Sequence, residues 1–485
     1  MTDDTTLRAH ALFNTGYFID GQWHTSDTTF DVENPATGEV LARVAKAGKT
    51  ETDAAIAAAA KAFPAWRAKT AKERSEVLYR WYQLIMENQA YLAKLMSAEQ
   101  GKPVKEAAGE VAYAASFIQW FAEQAKRVNG EIIPPAKAHS RIFATREPVG
   151  VVAAITPWNF PLAMLTRKLG PALAAGCTAL IKPANATPLS AFALLALAQQ
   201  AGVPDGVLNG VAGDTQAISD AIMASGTVRK VTFTGSTEVG KTLMRNAAGT
   251  MKKISMELGG NAPYIVFDDA DIPAAVAGAM ANKFRNAGQV CVSVNRFFIQ
   301  DGVYDRFVAQ LGQEVEKLKV GNGADEGVVV GPLINRAGVE KAEEHVNDAL
   351  KKGARVVTGG KRHPLGGNFF QPTVLADVTD DMQLAREETF GPVAACFRFA
   401  DEEEAIRRAN DTPYGLAAYF YTRDLARVFR VAASLESGMI GINECAVSTE
   451  LGPFGGVKES GLGREGSVLG MEDYLEVKTL HIGGL

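Results

Sequence analysis

The chain has 485 residues, 47% of them hydrophobic, and its 50 basic and 55 acidic side chains leave a net charge of −5. That length predicts two or three domains, the near-balance of charge excludes a basic nucleic-acid surface, and no apolar run is long enough to span a bilayer. Cys177, Cys291, Cys396 and Cys445 lie far apart without CxxC pairing, and the six histidines form no HxxxH or HxH pattern. Free thiols in a reducing compartment are expected, with no disulfide framework and no metal site.

The acidic start Met1-Thr2-Asp3-Asp4 lacks the basic-then-apolar order of a signal peptide, so the expected location is cytoplasmic. Short strands follow, at Tyr17-Phe18-Ile19 before Asp20-Gly21 and at Val40-Leu41-Ala42 after the turn Asn34-Pro35-Ala36-Thr37-Gly38. Thr50 opens a helical region with Asp53 as a capping-box acid, and amphipathic segments at 75–87 and 107–126 continue it to about Val128. This stretch reads as scaffold, with nothing in it that suggests chemistry. Residues 129–150 are extended again, and a strand pair with so little core of its own reads as an arm that joins another subunit's sheet. The alternating tail 474–480 is expected to pair with this arm near Arg141.

From Val151 apolar strands alternate with helices, at 151–155, 178–181, 207–211 and 231–234, which predicts a parallel sheet covered on both faces. Such sheets bind ligands beyond the carboxyl ends of their strands. Three ends carry polar or turn residues: Thr156-Pro157-Trp158-Asn159, Lys182-Pro183-Ala184-Asn185, and Gly235-Ser236-Thr237-Glu238-Val239-Gly240. The last opens a helix whose free N–H groups suit a phosphate, although it is not a GxGxxG fingerprint. Together the three ends suggest a dinucleotide pocket.

A second strand–helix series runs from Met256 to about Ile440. It contains Glu257 at the end of the run 253–256, a helix expected over 272–286, Cys291 in the turn after it, a strand at 295–299, and Glu388-Thr389-Phe390-Gly391-Pro392 before another strand. A single cysteine or glutamate is more often a small buried hydrophobe or a solvated acid. A thiol in a helix-to-strand turn can nevertheless be exposed, with backbone N–H groups favouring its thiolate. A thiol and a carboxylate are also the pair needed to form an acyl intermediate and hydrolyse it.

With these pieces in order, the chain resembles the NAD(P)-dependent aldehyde dehydrogenase superfamily over nearly its whole length. The resemblance rests on Pro157-Trp158-Asn159-Phe160-Pro161, Met256-Glu257-Leu258-Gly259-Gly260, Gly288-Gln289-Val290-Cys291 and Glu388-Thr389-Phe390-Gly391-Pro392. It implies an α/β fold: a Rossmann-type parallel-sheet cofactor domain (1–128 and 151–256), an α/β catalytic domain (257–445) and a β-strand oligomerisation arm (129–150 and 470–485). It implies a homodimer or homotetramer. The implied catalytic residues are Cys291 as nucleophile, Asn159 with the Cys291 N–H as oxyanion donors, and Glu257 as base for the hydrolytic water. Glu465 is either a proton relay or a solvated acid.

For the cofactor, the resemblance places Lys182 and Glu388 on ribose hydroxyls, Gly235 and Ser236 near the pyrophosphate, and Phe390 against the nicotinamide. Thr156, Pro157, Trp158, Val239 and Leu258 complete the set. NAD-preferring relatives often carry a glutamate where this chain has Asn185, and a carboxylate there would repel a 2′-phosphate. NADP is therefore expected to be accepted and preferred over NAD. Within the superfamily the chain is most similar to succinate-semialdehyde and glutarate-semialdehyde dehydrogenases, whose carboxylate-holding residues match Arg167, Arg285 and Ser448. Some of these carry a second cysteine two positions after the nucleophile; Ser293 stands there, so a disulfide switch is not expected. The loop Asn443-Glu444-Cys445-Ala446-Val447 also departs from the subgroup. Aromatic or simple aliphatic aldehydes, a non-redox cysteine esterase or acyltransferase, and a non-catalytic structural relative remain alternatives.

Overall fold

The computed structural model describes residues 4–485; Met1, Thr2 and Asp3, most of the acidic start considered above, lie outside the described residues. Two sheets organise the chain. The first has eight strands and is built on five parallel ones, ordered Lys253–Glu257, Val228–Thr234, Val151–Ile155, Thr178–Lys182 and Leu208–Gly210. Tyr17–Ile19 and Gln22–His24 extend one edge and Gly461–Leu462 the other, all antiparallel. The central strands are apolar because helices cover both faces. Helix Pro188–Gln200 is buried on every side from Pro188 to Ala198, which explains its lack of a polar face.

The second sheet has seven strands, in the order Arg355–Thr358, Thr373–Ala376, Val393–Phe399, Val294–Gln300, Ala262–Val266, Ala417–Tyr421 and Met439–Ile442. All its pairings are parallel except the first. A third sheet has three strands. Ser140–Pro148 pairs antiparallel with Leu475–Gly483, Arg141 opposite Ile482, as the alternation of the tail predicts.

Two local readings are corrected. The helix expected to open at Thr50 runs Lys49–Ala68, and its cap is one-sided: the Glu51 carboxylate accepts the Gly48 N–H at 2.7 Å. Asp53, one turn further in, instead pairs with Lys49. The helix expected over 272–286 stops at Lys283, because Asn286 and Ala287 turn left-handed with φ of 48° and 54°. That break releases the chain into the Cys291 turn. Among the described residues, no helix is long and apolar enough to cross a membrane.

Candidate active site

In the first sheet the connection order reverses between Val151–Ile155 and Val228–Thr234, and there the polar strand ends open apart. The segments ahead of Ala262–Val266, Val294–Gln300 and Val393–Phe399 face them from the second sheet. The carboxyl ends of one sheet thus meet the amino ends of the other. The cleft between them has a volume of about 290 Å³ and is lined by Pro157, Trp158, Asn159, Gly235, Ser236, Leu258, Cys291, Glu388 and Phe390, together with Met164, Thr234 and Gly259.

Cys291 is half-buried in this cleft. Its turn requires Gly288, whose φ is +76° and whose Cβ position lies 2.1 Å from the Gly391 carbonyl oxygen. The expectation that the turn favours a thiolate is corrected: burial pushes the Cys291 thiol up to about 12, with Arg167 and Arg285 opposing and Glu388 and Glu257 reinforcing. The thiol is the resting form and must lose its proton to a base. Asn159 is buried beside it, and its Nδ2 donates to the Gln289 carbonyl at 3.0 Å, which leaves one amide hydrogen for another acceptor.

Glu257 ends the strand Lys253–Glu257 and is buried, its Oε2 without a hydrogen-bond partner among the described residues. A Cβ at Gly455 would lie 2.9 Å from Glu257 Oε1, so a glycine there leaves the carboxyl its space. Burial, then the Glu465 charge, raises the Glu257 pKa well above the ordinary carboxylate range, against the pull of Arg167 and Lys168. Glu465 is no solvated acid. It is buried between the Arg167 guanidinium, 2.8 Å away, and the Lys168 ammonium. Burial works against its charge, but the two cations outweigh it and hold its pKa low.

The cleft residues fit a nicotinamide dinucleotide. At the strand ends, among the described residues, the buried Thr156 hydroxyl has no partner and the buried Lys182 amine donates to the Pro183 carbonyl alone, at 3.2 Å. Burial lowers the Lys182 pKa to about 8. Ser236 caps helix Thr237–Ala247 by accepting the Val239 N–H at 3.4 Å; the Val239 side chain itself is exposed. Glu388 is pushed up to about 8 by burial, and the Gly260 N–H and Lys283 counter it. Phe390 stands edge-on to Trp158 at 5.6 Å. Asn185 stands apart from the cleft lining: its amide brackets Gly213, donating to the carbonyl at 2.7 Å and accepting the N–H at 3.2 Å. Among the described residues no cluster of His, Cys, Asp or Glu could hold a metal.

A second cavity, of about 250 Å³, lies on the other side of the Cys291 turn and is lined by Arg285, Val290, Val292, Glu444, Cys445 and Ser448, among others. Arg285 lies 5.1 Å from the centre of the Phe160 ring, and Ser448 bonds Tyr113 Oη at 2.5 Å. Arg167 lines neither cavity. It is buried with its guanidinium 3.7 Å from the Phe454 ring centre, and its Nη2 has no partner among the described residues. A larger cavity, about 840 Å³, is a groove between helices Ile272–Lys283 and Tyr304–Val315 that shares Arg285 but includes neither Cys291 nor Glu257.

The model of the aldehyde dehydrogenase family matches residues 23–480. The chain belongs to that family. It is 58% identical to the NADP(+) succinate-semialdehyde dehydrogenase GabD of Escherichia coli strain K12, covering 100% of this chain and 99% of the relative. It is 57% identical to a glutarate-semialdehyde dehydrogenase of Pseudomonas aeruginosa, covering 99% and 100%. The crystal structure of succinate-semialdehyde dehydrogenase from Burkholderia pseudomallei superposes with a TM-score of 0.97 at 56% identity, covering 98% of this chain and 99% of that one.

This aldehyde dehydrogenase also brings to the site residues that the sequence reading passed over. Gln100, Glu106, Glu110 and Tyr113 come from the N-terminal helices expected to be plain scaffold, Lys102 from the short link between two of them, and Asn286 from the helix break. A signal was there: Glu106, Glu110 and Tyr113 recur at helical spacing on the face of Val104–Gln124 that also carries buried Ala107, Val111 and Ala114. Polar groups on a core-facing stripe need partners inside.

Proposed function

We propose that this protein oxidises a short aldehyde carrying a terminal carboxylate, succinate semialdehyde first and glutarate semialdehyde next, to the dicarboxylate with NADP in preference to NAD. The observation that carries the reading is one thiol with a cavity on either side of its turn, one fitted to a dinucleotide and the other holding Arg285 and Ser448. The names of the relatives above point to the same substrates and cofactor.

In this reading Cys291 gives up its proton to solvent water in the cleft and its sulfur adds as thiolate to the aldehyde carbon, so that Glu257 stays unprotonated for the later step. The charge that develops on oxygen is met by the spare Asn159 amide hydrogen and the Cys291 N–H. A bound nicotinamide supplies the hydride acceptor. Cys291 then carries a thioester, Glu257 takes a proton from water, the water oxygen attacks the acyl carbon, and the sulfur leaves. The high Glu257 pKa suits a base that must accept a proton in an apolar cleft. Arg285 and Ser448 hold the substrate carboxylate from the mouth, and Arg167, whose Nη2 is left spare, adds positive charge behind the cleft without lining either cavity.

The same reading assigns the cofactor domain to 1–128 and 151–256, the catalytic domain to 257–445, and the arm to 129–150 and 470–485, in a cytoplasmic homodimer or homotetramer. The exposed apolar side chains of Ile132, Val477, Leu480 and Ile482 on the arm support assembly through it. The test is kcat/KM for succinate semialdehyde, glutarate semialdehyde, butanal and benzaldehyde, each with NADP and with NAD, beside the mass in solution. Equal values for the charged and uncharged aldehydes would sink the carboxylate assignment.

A further inference from the structure

We infer that Lys102 and Asn286 are positioning residues that hold the oxyanion donor Asn159 in place, so that the N-terminal segment 100–110 supports catalysis. This rests on the reading of Asn159 given above. Asn159 lies between strand Val151–Ile155 and helix Ala163–Ala175, in a segment with no helical or strand pairing of its own. Its carbonyl oxygen accepts two side-chain donors, Lys102 Nζ at 2.7 Å and Asn286 Nδ2 at 3.1 Å. Its own amide is anchored on the Gln289 carbonyl, which Asn286 Nδ2 also reaches, at 3.2 Å. One asparagine thus ties the oxyanion segment to the nucleophile turn.

Both anchors are themselves held by the segment 100–110. Gln100 Nε2 donates to Asn286 Oδ1 at 2.9 Å, and the Asn286 N–H donates to Glu106 at 2.8 Å. This fixes a side chain whose backbone is left-handed. Lys102 is buried against Glu110, whose other oxygen accepts the Leu162 and Ala163 N–H groups at 3.0 and 3.3 Å. Glu110 therefore holds the chain a few residues beyond Asn159 while Lys102 holds Asn159 itself. Displacement of a donor by about 1 Å is enough to cost roughly 100-fold in rate.

The test pairs two variants with Asn159→Ala. Lys102→Met combined with Glu110→Gln removes the donor without stranding a buried charge and keeps an acceptor for Leu162 and Ala163. Asn286→Gly keeps the left-handed backbone and removes the amide. Each should lower kcat/KM for aldehyde oxidation by about 30- to 100-fold, while alkylation of Cys291 by iodoacetamide, which develops no oxyanion, stays within twofold. In the Asn159→Ala background each should cost less than threefold more. Full additivity, or alkylation falling in step with oxidation, would overturn the inference and leave a structural role. If the Lys102/Glu110 variant does not fold, Asn286→Gly alone decides by the same two readouts. Should Asn159→Ala by itself change kcat/KM by less than threefold, the underlying reading of Asn159 is what fails.

Discussion

The cleft and the mouth flank the same cysteine but are held by different means. The cleft is walled by strand ends from two sheets, so its residues inherit the rigidity of a packed core. The mouth, the cavity that holds Arg285 and Ser448, is walled on one side by helix Ile272–Lys283 and on the other by 444–448, which follow the edge strand of the second sheet, Met439–Ile442, with no regular structure of their own. Backbone geometry fixes what reacts, and a loop with a few polar side chains fixes what enters. Changes in the cleft should therefore act alike on every aldehyde, whereas changes in the mouth should re-rank them.

The largest expected effect tests the first half of that contrast. Cys291→Ala should lower oxidation of succinate semialdehyde and of butanal alike, each by at least about 10,000-fold, as loss of a covalent nucleophile does elsewhere. A loss confined to one aldehyde would break the comparison. Because burial raises the Cys291 pKa to about 12, alkylation of the free thiol should still be rising with pH through the whole range from 7 to 10. A plateau in that interval would show the thiolate to be favoured after all.

Glu257→Gln comes next, with a steady-state loss of about 100- to 10,000-fold. Hydride leaves before water attacks, so one equivalent of reduced nucleotide per site should still appear in a burst. The pH dependence has a definite sign. A base with a raised pKa is protonated and idle over more of the acidic range, so deacylation should fall as pH drops through a value above 4.5, and the Gln variant should lack that limb. The unmodified enzyme losing activity only below pH 4 would contradict the buried, partnerless carboxyl.

The same contrast explains how much was legible beforehand. Strand ends announce themselves, because a long apolar run that stops at Thr156-Pro157 or Lys182-Pro183 has one physical reading in a covered parallel sheet. The pairing of 140–148 with the tail was legible for a similar reason, since alternation fixes register. The helix break at Asn286 was not, because 272–286 keeps a helical pattern in sequence and is turned aside by tertiary bonds from Gln100 and Glu106. The Thr50 cap failed because Glu51 reaches back to a glycine, whose lack of a side chain gives no capping signal. The burial of Arg167 against Glu465 was likewise out of reach, as the two residues are 298 positions apart.

Arg285→Ala probes the mouth. Losing one charge-assisted grip on a carboxylate corresponds to about 10- to 100-fold in kcat/KM for succinate semialdehyde, and butanal should change by less than threefold. Arg167→Ala is the instructive control. It also strips a partner from buried Glu465, so it should lower both aldehydes and reduce thermal stability, whereas Arg285→Ala should do neither. Identical profiles for the two variants would mean that Arg285 too belongs to the framework.

The smallest effect lies outside the cleft lining, at the strand end that carries Asn185, which should behave like the mouth. Asn185 brackets both polar groups of Gly213 with its amide, so it shapes the turn and presents no charge toward the strand ends. Asn185→Glu gives up that bracket and adds a carboxylate near Lys182. Repulsion of a 2′-phosphate should lower the NADP-to-NAD ratio of kcat/KM by about tenfold, with little change for either aldehyde relative to the other. Asn185→Ala separates the two causes, since it removes the bracket without adding charge. If the alanine variant shifts the ratio as far as the glutamate one, the preference comes from the shape of the Gly213 turn and not from electrostatics, and selectivity at this end is set by backbone geometry, as the chemistry is.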